Sequence, residues 1–80
     1  MTADEIDNAV RQALSAVFGR PIGKDELLSA ATEPSWDSLR QVEVLLAVEG
    51  ALEVRFDEEE MPQLDSVDKL VRSVKRHRAA

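Results

Sequence analysis

Asp37-Ser38 stands where a stretch rich in Gly and Pro gives way to an apolar run with interspersed acids. Taken alone the pair reads as a helix start, and Ser38-Leu-Arg-Gln41 fits a capping box. The Ser38 hydroxyl is expected to be exposed there. Three other groups of residues have types that suit chemistry. Ser66-Val-Asp-Lys69 matches the Ser-x-x-Lys spacing of a serine nucleophile with a lysine base. Nothing else of that machinery is present, and Ser66 reads as a helix start. Asp57-Glu-Glu-Glu60 lacks the alternating acids and the glycine of a calcium loop. His77 is the single histidine, the chain has no Cys, and so no Cys/His metal set is available. The expectation is a solvated tail residue at His77, no metal site, no disulfide and no catalytic residue.

These residues need elements to position them. Thr2-Ala-Asp-Glu5 is a capping-box pattern, and Ile6, Val10, Ala13, Leu14 and Val17 follow at helical spacing until Gly19 and Pro21. This predicts helix I over about 3–18. Residues 19–37 hold Gly19, Pro21, Gly23 and Pro34 and predict a long loop. Ile22, Leu27, Leu28 and Trp36 are its anchors, Trp36 as a plug on the core, with a turn of helix near Asp25–Leu28. Helix II is expected over about 38–52. A short helix is expected at about 58–61, limited by Pro62, with acids at its positive end. Val67, Leu70, Val71 and Val74 form the apolar stripe of helix IV, about 66–77. No run alternates as a strand does. The fold class is therefore all-α, one domain spanning 1–80, a small antiparallel bundle of three main helices and a short one.

A chain of 80 residues buries only about 60% of its unfolded surface, leaving little volume for an enclosed active site. Net charge is −6, and residues 37–60 hold eight acids against two bases. An acidic middle repels nucleic-acid phosphate and suits basic partner surfaces. Five bases fall within residues 69–78, where cations complement a helix C-terminus. The longest apolar run, Val44 to Val48, is too short to cross a bilayer. The acidic start is unlike a secretory signal. A soluble, cytoplasmic monomer is expected, with neither nucleic acid nor membrane as partner.

Helix II carries more apolar surface than one core needs. On a helical wheel Val44, Leu45, Val48 and Leu52 share one face, while Leu39, Val42 and Leu46 gather ~140° away. Glu43, Glu49 and Glu53 sit in or beside the second stripe. That stripe reads as a docking surface for a partner protein, unless helix I or the loop covers both faces. The docking set is Leu39, Arg40, Val42, Glu43, Leu46 and Glu49.

Asp37-Ser38-Leu39, after a long loop and opening an apolar helix with acids, resembles the attachment motif of acyl carrier proteins. The string from Trp36 to Glu49 resembles it too, as do Phe56-Asp-Glu-Glu-Glu60 and Leu64-Asp-Ser-Val-Asp-Lys-Leu-Val71. The likeness covers about residues 3–75. It implies that a phosphopantetheinyl transferase, using Mg²⁺, moves 4′-phosphopantetheine from coenzyme A onto Ser38, with Asp37 and Leu39 flanking the cofactor. Acyl-loading and acyl-processing enzymes then act on thioesters at the end of the arm. The cofactor supplies the thiol that this chain lacks, and a phosphodiester at a helix N-terminus is favourably placed. Fatty-acid-synthesis members commonly have Gly before Asp-Ser-Leu and an acid after it; here Trp36 and Arg40 stand there, and Pro62 falls where the third helix usually continues. The resemblance thus implies a carrier in a specialised pathway, such as polyketide or other secondary-metabolite assembly. The alternatives are a fatty-acid-synthesis carrier, an aminoacyl or peptidyl carrier, and, from another class, an unmodified helical interaction module.

Overall fold

The computed structural model describes residues 1–79, and over them the chain is all-helical. Helix α1 is Ala3–Phe18, α2 is Ser38–Leu52 and α3 is Val67–Ala79, with one 3₁₀ turn at Met61–Gln63. The described residues form no strand; Ser29 and Ser66 make an isolated antiparallel bridge.

Each helix end has a local cause. Thr2 and Glu5 close a reciprocal capping box on α1, and Gly19 ends it in the left-handed conformation at φ 70°. Glu53 ends α2 at φ 54°, a strained place for a side chain, and Arg78 donates to the Leu52 carbonyl at 2.8 Å. At α3 the Ser66 hydroxyl accepts the Lys69 N–H at 3.1 Å, so Ser66 is a cap.

The core is one cluster. Ile6, Val10, Ala13 and Leu14 of α1 meet Val44, Leu45, Val48 and Leu52 of α2 and the apolar stripe of α3. Helix α1 lies against both of the others. Leu28, Trp36, Phe56 and Leu64 enter from the connections. The Trp36 ring packs against Phe18 with centroids 5.4 Å apart, which makes it the plug expected.

The long loop 19–37 is ordered by side chains that reach across it. Arg11 Nη1 donates to the carbonyls of Gly23 and Glu26 at 2.7 Å each, and its Nε bonds Asp7 at 3.1 Å. Arg20 pairs with Glu26 at 2.7 Å and with Glu33 at 3.4 Å. The middle of the loop is stitched to the start of α3 by Ala30 N–H to Asp65 O and Val67 N–H to Leu28 O.

Four expectations need correction. Residues 25–28 form no helical turn; Glu26 N–H closes a tight turn on Gly23 O, and Arg11 takes the Gly23 and Glu26 carbonyls. Leu27 is no anchor: Leu28 faces the core, and its neighbour is 85% exposed. The short helical stretch runs past 58–61: the Glu60 and Met61 N–H groups close a turn on the Asp57 carbonyl, and the 3₁₀ turn follows over 61–63. Pro62 sits in its first turn instead of limiting it, because a proline lacks only the N–H that a first turn leaves unpaired. His77 is not a solvated tail residue. Helix α3 continues to Ala79, which puts His77 one turn beyond Ser73, half-buried, edge-on to Phe56 and 2.7 Å from Glu60.

That last contact belongs to a saturated carboxylate. Glu60 Oε1 accepts from Ser73 Oγ at 2.6 Å and Arg76 at 2.5 Å, and Oε2 from the Asp57 N–H at 2.9 Å and faces His77 Nε2. Burial on its own would raise this carboxyl. The hydrogen bonds from Ser73, the Asp57 N–H and His77, with the His77 charge, outweigh it and bring Glu60 down from 4.5 to about 2. A folded-state value below the unfolded one adds stability above the unfolded value, and that stability is lost as pH falls through the folded one. Urea unfolding should therefore show stability from Glu60 intact above pH 4.5 and draining away down to about pH 2, with a shallower fall in Glu60→Gln. Glu60→Ala leaves the buried Ser73 hydroxyl without its acceptor and is expected to lower stability at neutral pH by roughly 1–3 kcal/mol.

Candidate functional site

Ser38 is the first residue of α2, but it is not the cap. Asp37 is: its backbone is extended, and its carboxylate accepts the Arg40 N–H at 2.9 Å. The Ser38-to-Gln41 capping box does not form, because an aspartate one residue earlier fills the same role. The Ser38 hydroxyl is exposed and makes no hydrogen bond among the described residues. The local chain thus holds Ser38 rigidly in a helix while leaving its oxygen free.

Ser38 also lines a groove of about 610 Å³ that runs between α2 and the 3₁₀ turn. Its walls are chiefly apolar: Trp36, Val42, Leu45, Met61 and Pro62. The groove is set by Gln41. Its Oε1 accepts the Trp36 indole N–H at 2.7 Å, and its Nε2 donates to the carbonyls of Met61 and Leu64 at 3.0 Å each. One amide therefore ties the residues before Ser38 to the 3₁₀ turn opposite. Sequence reasoning gave Gln41 only a capping role. The signal was its register: Gln41 precedes Leu45 by one turn on the buried face of α2, and a polar group there requires partners.

The two faces of α2 are as the wheel placed them. Val44, Leu45, Val48 and Leu52 are buried. Leu39, Val42 and Leu46 are 70%, 54% and 64% exposed, so neither α1 nor the loop covers them. The charges around this stripe are less uniform than the sequence suggests. Arg40 and Glu43 pair with each other at 2.9 Å across one turn. Glu49 is half-buried and accepts the Phe56 N–H at 2.9 Å, so it braces the turn after α2, and of the three acids beside the stripe only Glu53 is unpaired among the described residues. Asp37 and Leu39 flank Ser38 as expected, Asp37 with one carboxylate oxygen engaged by its helix.

A second cluster has metal-binding residue types. Ligand atoms of Asp57, Glu60 and His77 lie within 4.8 Å of one another. Glu60 already accepts on both oxygens, and the Arg76 guanidinium is 2.5 Å away. A cation there would replace hydrogen bonds already made and face a fixed positive charge. The cluster works as a clasp between the turn at 57–60 and α3. No helix of the structure is long and apolar enough to cross a membrane.

Comparison with protein-family models, with curated proteins and with solved structures gives no match.

The division of α2 has a direct check by thermal or urea unfolding. Leu46→Ala should change stability by no more than about 0.5 kcal/mol. Leu52→Ala removes a side chain that is 1% exposed and should cost about 2–5 kcal/mol. Equal, large losses at both positions would place Leu46 in the core and remove the outer stripe.

Proposed function

We propose that this chain is an acyl carrier protein, which holds acyl intermediates as thioesters on a 4′-phosphopantetheine arm bonded to Ser38, in a specialised or secondary-metabolite pathway. The observation that carries the reading is the Ser38 hydroxyl: exposed, unused by its own helix, fixed at the first residue of α2, and opening onto an apolar groove. A serine that serves only as a cap would have its oxygen on a backbone N–H, and here Asp37 does that work.

The residues present suit the group. A phosphodiester on Ser38 Oγ would stand at the N-terminus of α2, where unpaired N–H groups and the helix dipole favour an anion. The attachment is a substitution at phosphorus. Ser38 Oγ gives its proton to the transferase and bonds to the phosphorus of the pantetheine half of coenzyme A; the bond to the adenylate half breaks, and that half leaves with the electron pair. When bound, the arm supplies the thiol that no residue of this chain can. The chain contributes the oxygen, its fixed position and the surface beside it, while the chemistry on the carried group belongs to partner enzymes.

Leu39, Val42 and Leu46 are the surface those enzymes would meet, just along α2 from Ser38. A second reading, an unmodified interaction module, draws on this same bare stripe and needs no change at Ser38. Intact mass after incubation with coenzyme A, Mg²⁺ and a broad-specificity phosphopantetheinyl transferase separates the two. The carrier reading expects one phosphopantetheine on the native chain and none on Ser38→Ala. Because the hydroxyl caps nothing, Ser38→Ala should unfold within about 0.5 kcal/mol of the native chain. An unmodified native chain, or arm uptake by Ser38→Ala, would overturn the assignment.

Arg40 bears on which partners fit. It sits two residues from Ser38 and neutralises Glu43. A basic partner surface would meet a cation there, and excluding wrong partners can matter as much as attracting the right one. Arg40→Glu removes that cation and releases Glu43 at once. Loading by a basic-faced transferase should become faster at low salt, with the gain fading as salt rises. Equal rates for both variants at low salt would make Arg40 a bystander.

A further inference from the structure

The groove beside Ser38 ends where Gln41 lies. Of its walls, Val42, Met61 and Pro62 are accessible, while Trp36 and Leu45 are each less than a tenth exposed; deeper still, Leu64 is as well hidden and Val44, Val48 and Leu70 are fully buried. The seam between α2 and the 61–64 segment is the path from the groove to that interior. Gln41 spans the seam with bonds to Met61 O and Leu64 O, and its third bond holds the Trp36 indole against the same point. The amide has one acceptor and one amino group, and all of them are engaged. No buried side-chain polar atom among the described residues is left without a partner. Opening the seam would break three hydrogen bonds and leave the Trp36 indole N–H and the Leu64 carbonyl without a partner, while the Met61 carbonyl kept only the Leu64 N–H; stranding polar groups in this way is disfavoured.

We infer that Gln41 is a bolt: an apolar chain tethered at residue 38 settles in the outer groove against Val42 and Met61, and the Gln41 bonds to Trp36, Met61 and Leu64 keep it out of the bundle interior. The biological meaning rests on the carrier reading, since something apolar must be attached to Ser38, but the geometry does not. In that reading the carried group stays within reach of partner enzymes instead of being withdrawn into the core. Gln41 is then a positioning residue, acting through the walls it joins.

The absence of native cysteine allows a test that needs no cofactor. Ser38→Cys is alkylated with N-octyl iodoacetamide: the thiolate sulfur bonds to the methylene carbon, iodide leaves, and an octyl chain is fixed at residue 38. Methyl NMR then reads where the chain lies. In the Ser38→Cys protein the Val42 and Met61 methyls should shift on alkylation while Leu14, Val48 and Leu70 stay in place. With Gln41→Met added, which keeps bulk but makes none of the three bonds, the Val48 and Leu70 methyls should shift as well. Trp36→Phe, which removes a single bond, serves where the Gln41 variant does not fold. It should give a smaller shift of the same core methyls. Core shifts already present without the second substitution would overturn the bolt, as would an absence of groove shifts, or core methyls that stay in place in every bolt variant that folds. The same spectra on native chain carrying an octanoyl-loaded arm extend the result to the cofactor. Failure of the transferase to load Ser38 sinks the carrier reading alone, because the alkylated protein still decides where a tethered chain lies.

Discussion

The two long connections, residues 19–37 and 53–66, have to be ordered by something other than a ladder of their own backbone hydrogen bonds. Gln41 supplies the decisive contact. Its amide reaches both connections at once, taking the indole of Trp36 from the first and the carbonyls of Met61 and Leu64 from the second. Arg11 fixes the middle of the first connection through two carbonyls, and Glu60 fixes the second to α3 through its donors. All three are single polar side chains that reach across the structure to more than one partner each. In a domain with so thin a core, such clasps decide the positions of the apolar residues that the connections contribute. Trp36 and Leu64 are buried where they are because Gln41 holds them together.

The same clasp explains why α2 has two apolar faces. The 3₁₀ turn, drawn in by Gln41, covers the Met61 side of the helix and completes the burial of Leu45. Among the described residues no third segment covers Leu39, Val42 and Leu46. With α1 already in contact with both other helices and each connection pinned elsewhere, the second stripe stays in solvent. An apolar surface that costs solubility and adds nothing to the core is what the proposed docking of partner enzymes would use. Its position directly below an unused hydroxyl joins the two features into one site.

Helical periodicity is a short-range signal, and for that reason it was legible. The 3.6-residue repeat of Ile6, Val10 and Leu14, or of Val44, Val48 and Leu52, exposes both a helix and the face it buries. The punctuation by Gly19 and the capping box at Thr2 are equally local. What escaped was set by contacts distant in sequence. The burial of His77 depends on Glu60, seventeen positions away. The fate of Leu27 depends on Arg11 drawing the adjacent carbonyls inward. Glu49 left the acidic rim because the chain doubles back to present the Phe56 N–H. The cap moved from Ser38 to Asp37 for a subtler reason. Both residues are good caps, and one position of register decides which keeps a free side chain. That single position is the whole difference between a structural serine and an available one.

Charge carries the argument one step further. The composition alone suggested an acidic middle segment suited to basic partners, broken by Arg40 and Arg55. In the structure the acids are divided by use: Asp37 is bonded to its helix, Glu43 is paired, and Glu49 and Glu60 are built into turns. Glu53, Glu58 and Glu59 remain exposed, and Glu53 closes the far end of α2 from Ser38. A helix of this length separates its two ends by ~20 Å at ~1.5 Å per residue, well over a Debye length at physiological ionic strength. The two ends therefore present separate fields to an approaching protein, near neutral at the Arg40–Glu43 pair and mixed at the far end, where Arg78 on the Leu52 carbonyl and Arg55 accompany Glu53. On the carrier reading, a partner that fits would bring an uncharged or anionic lip to Ser38, with Leu39, Val42 and Leu46 as the apolar contact beside it.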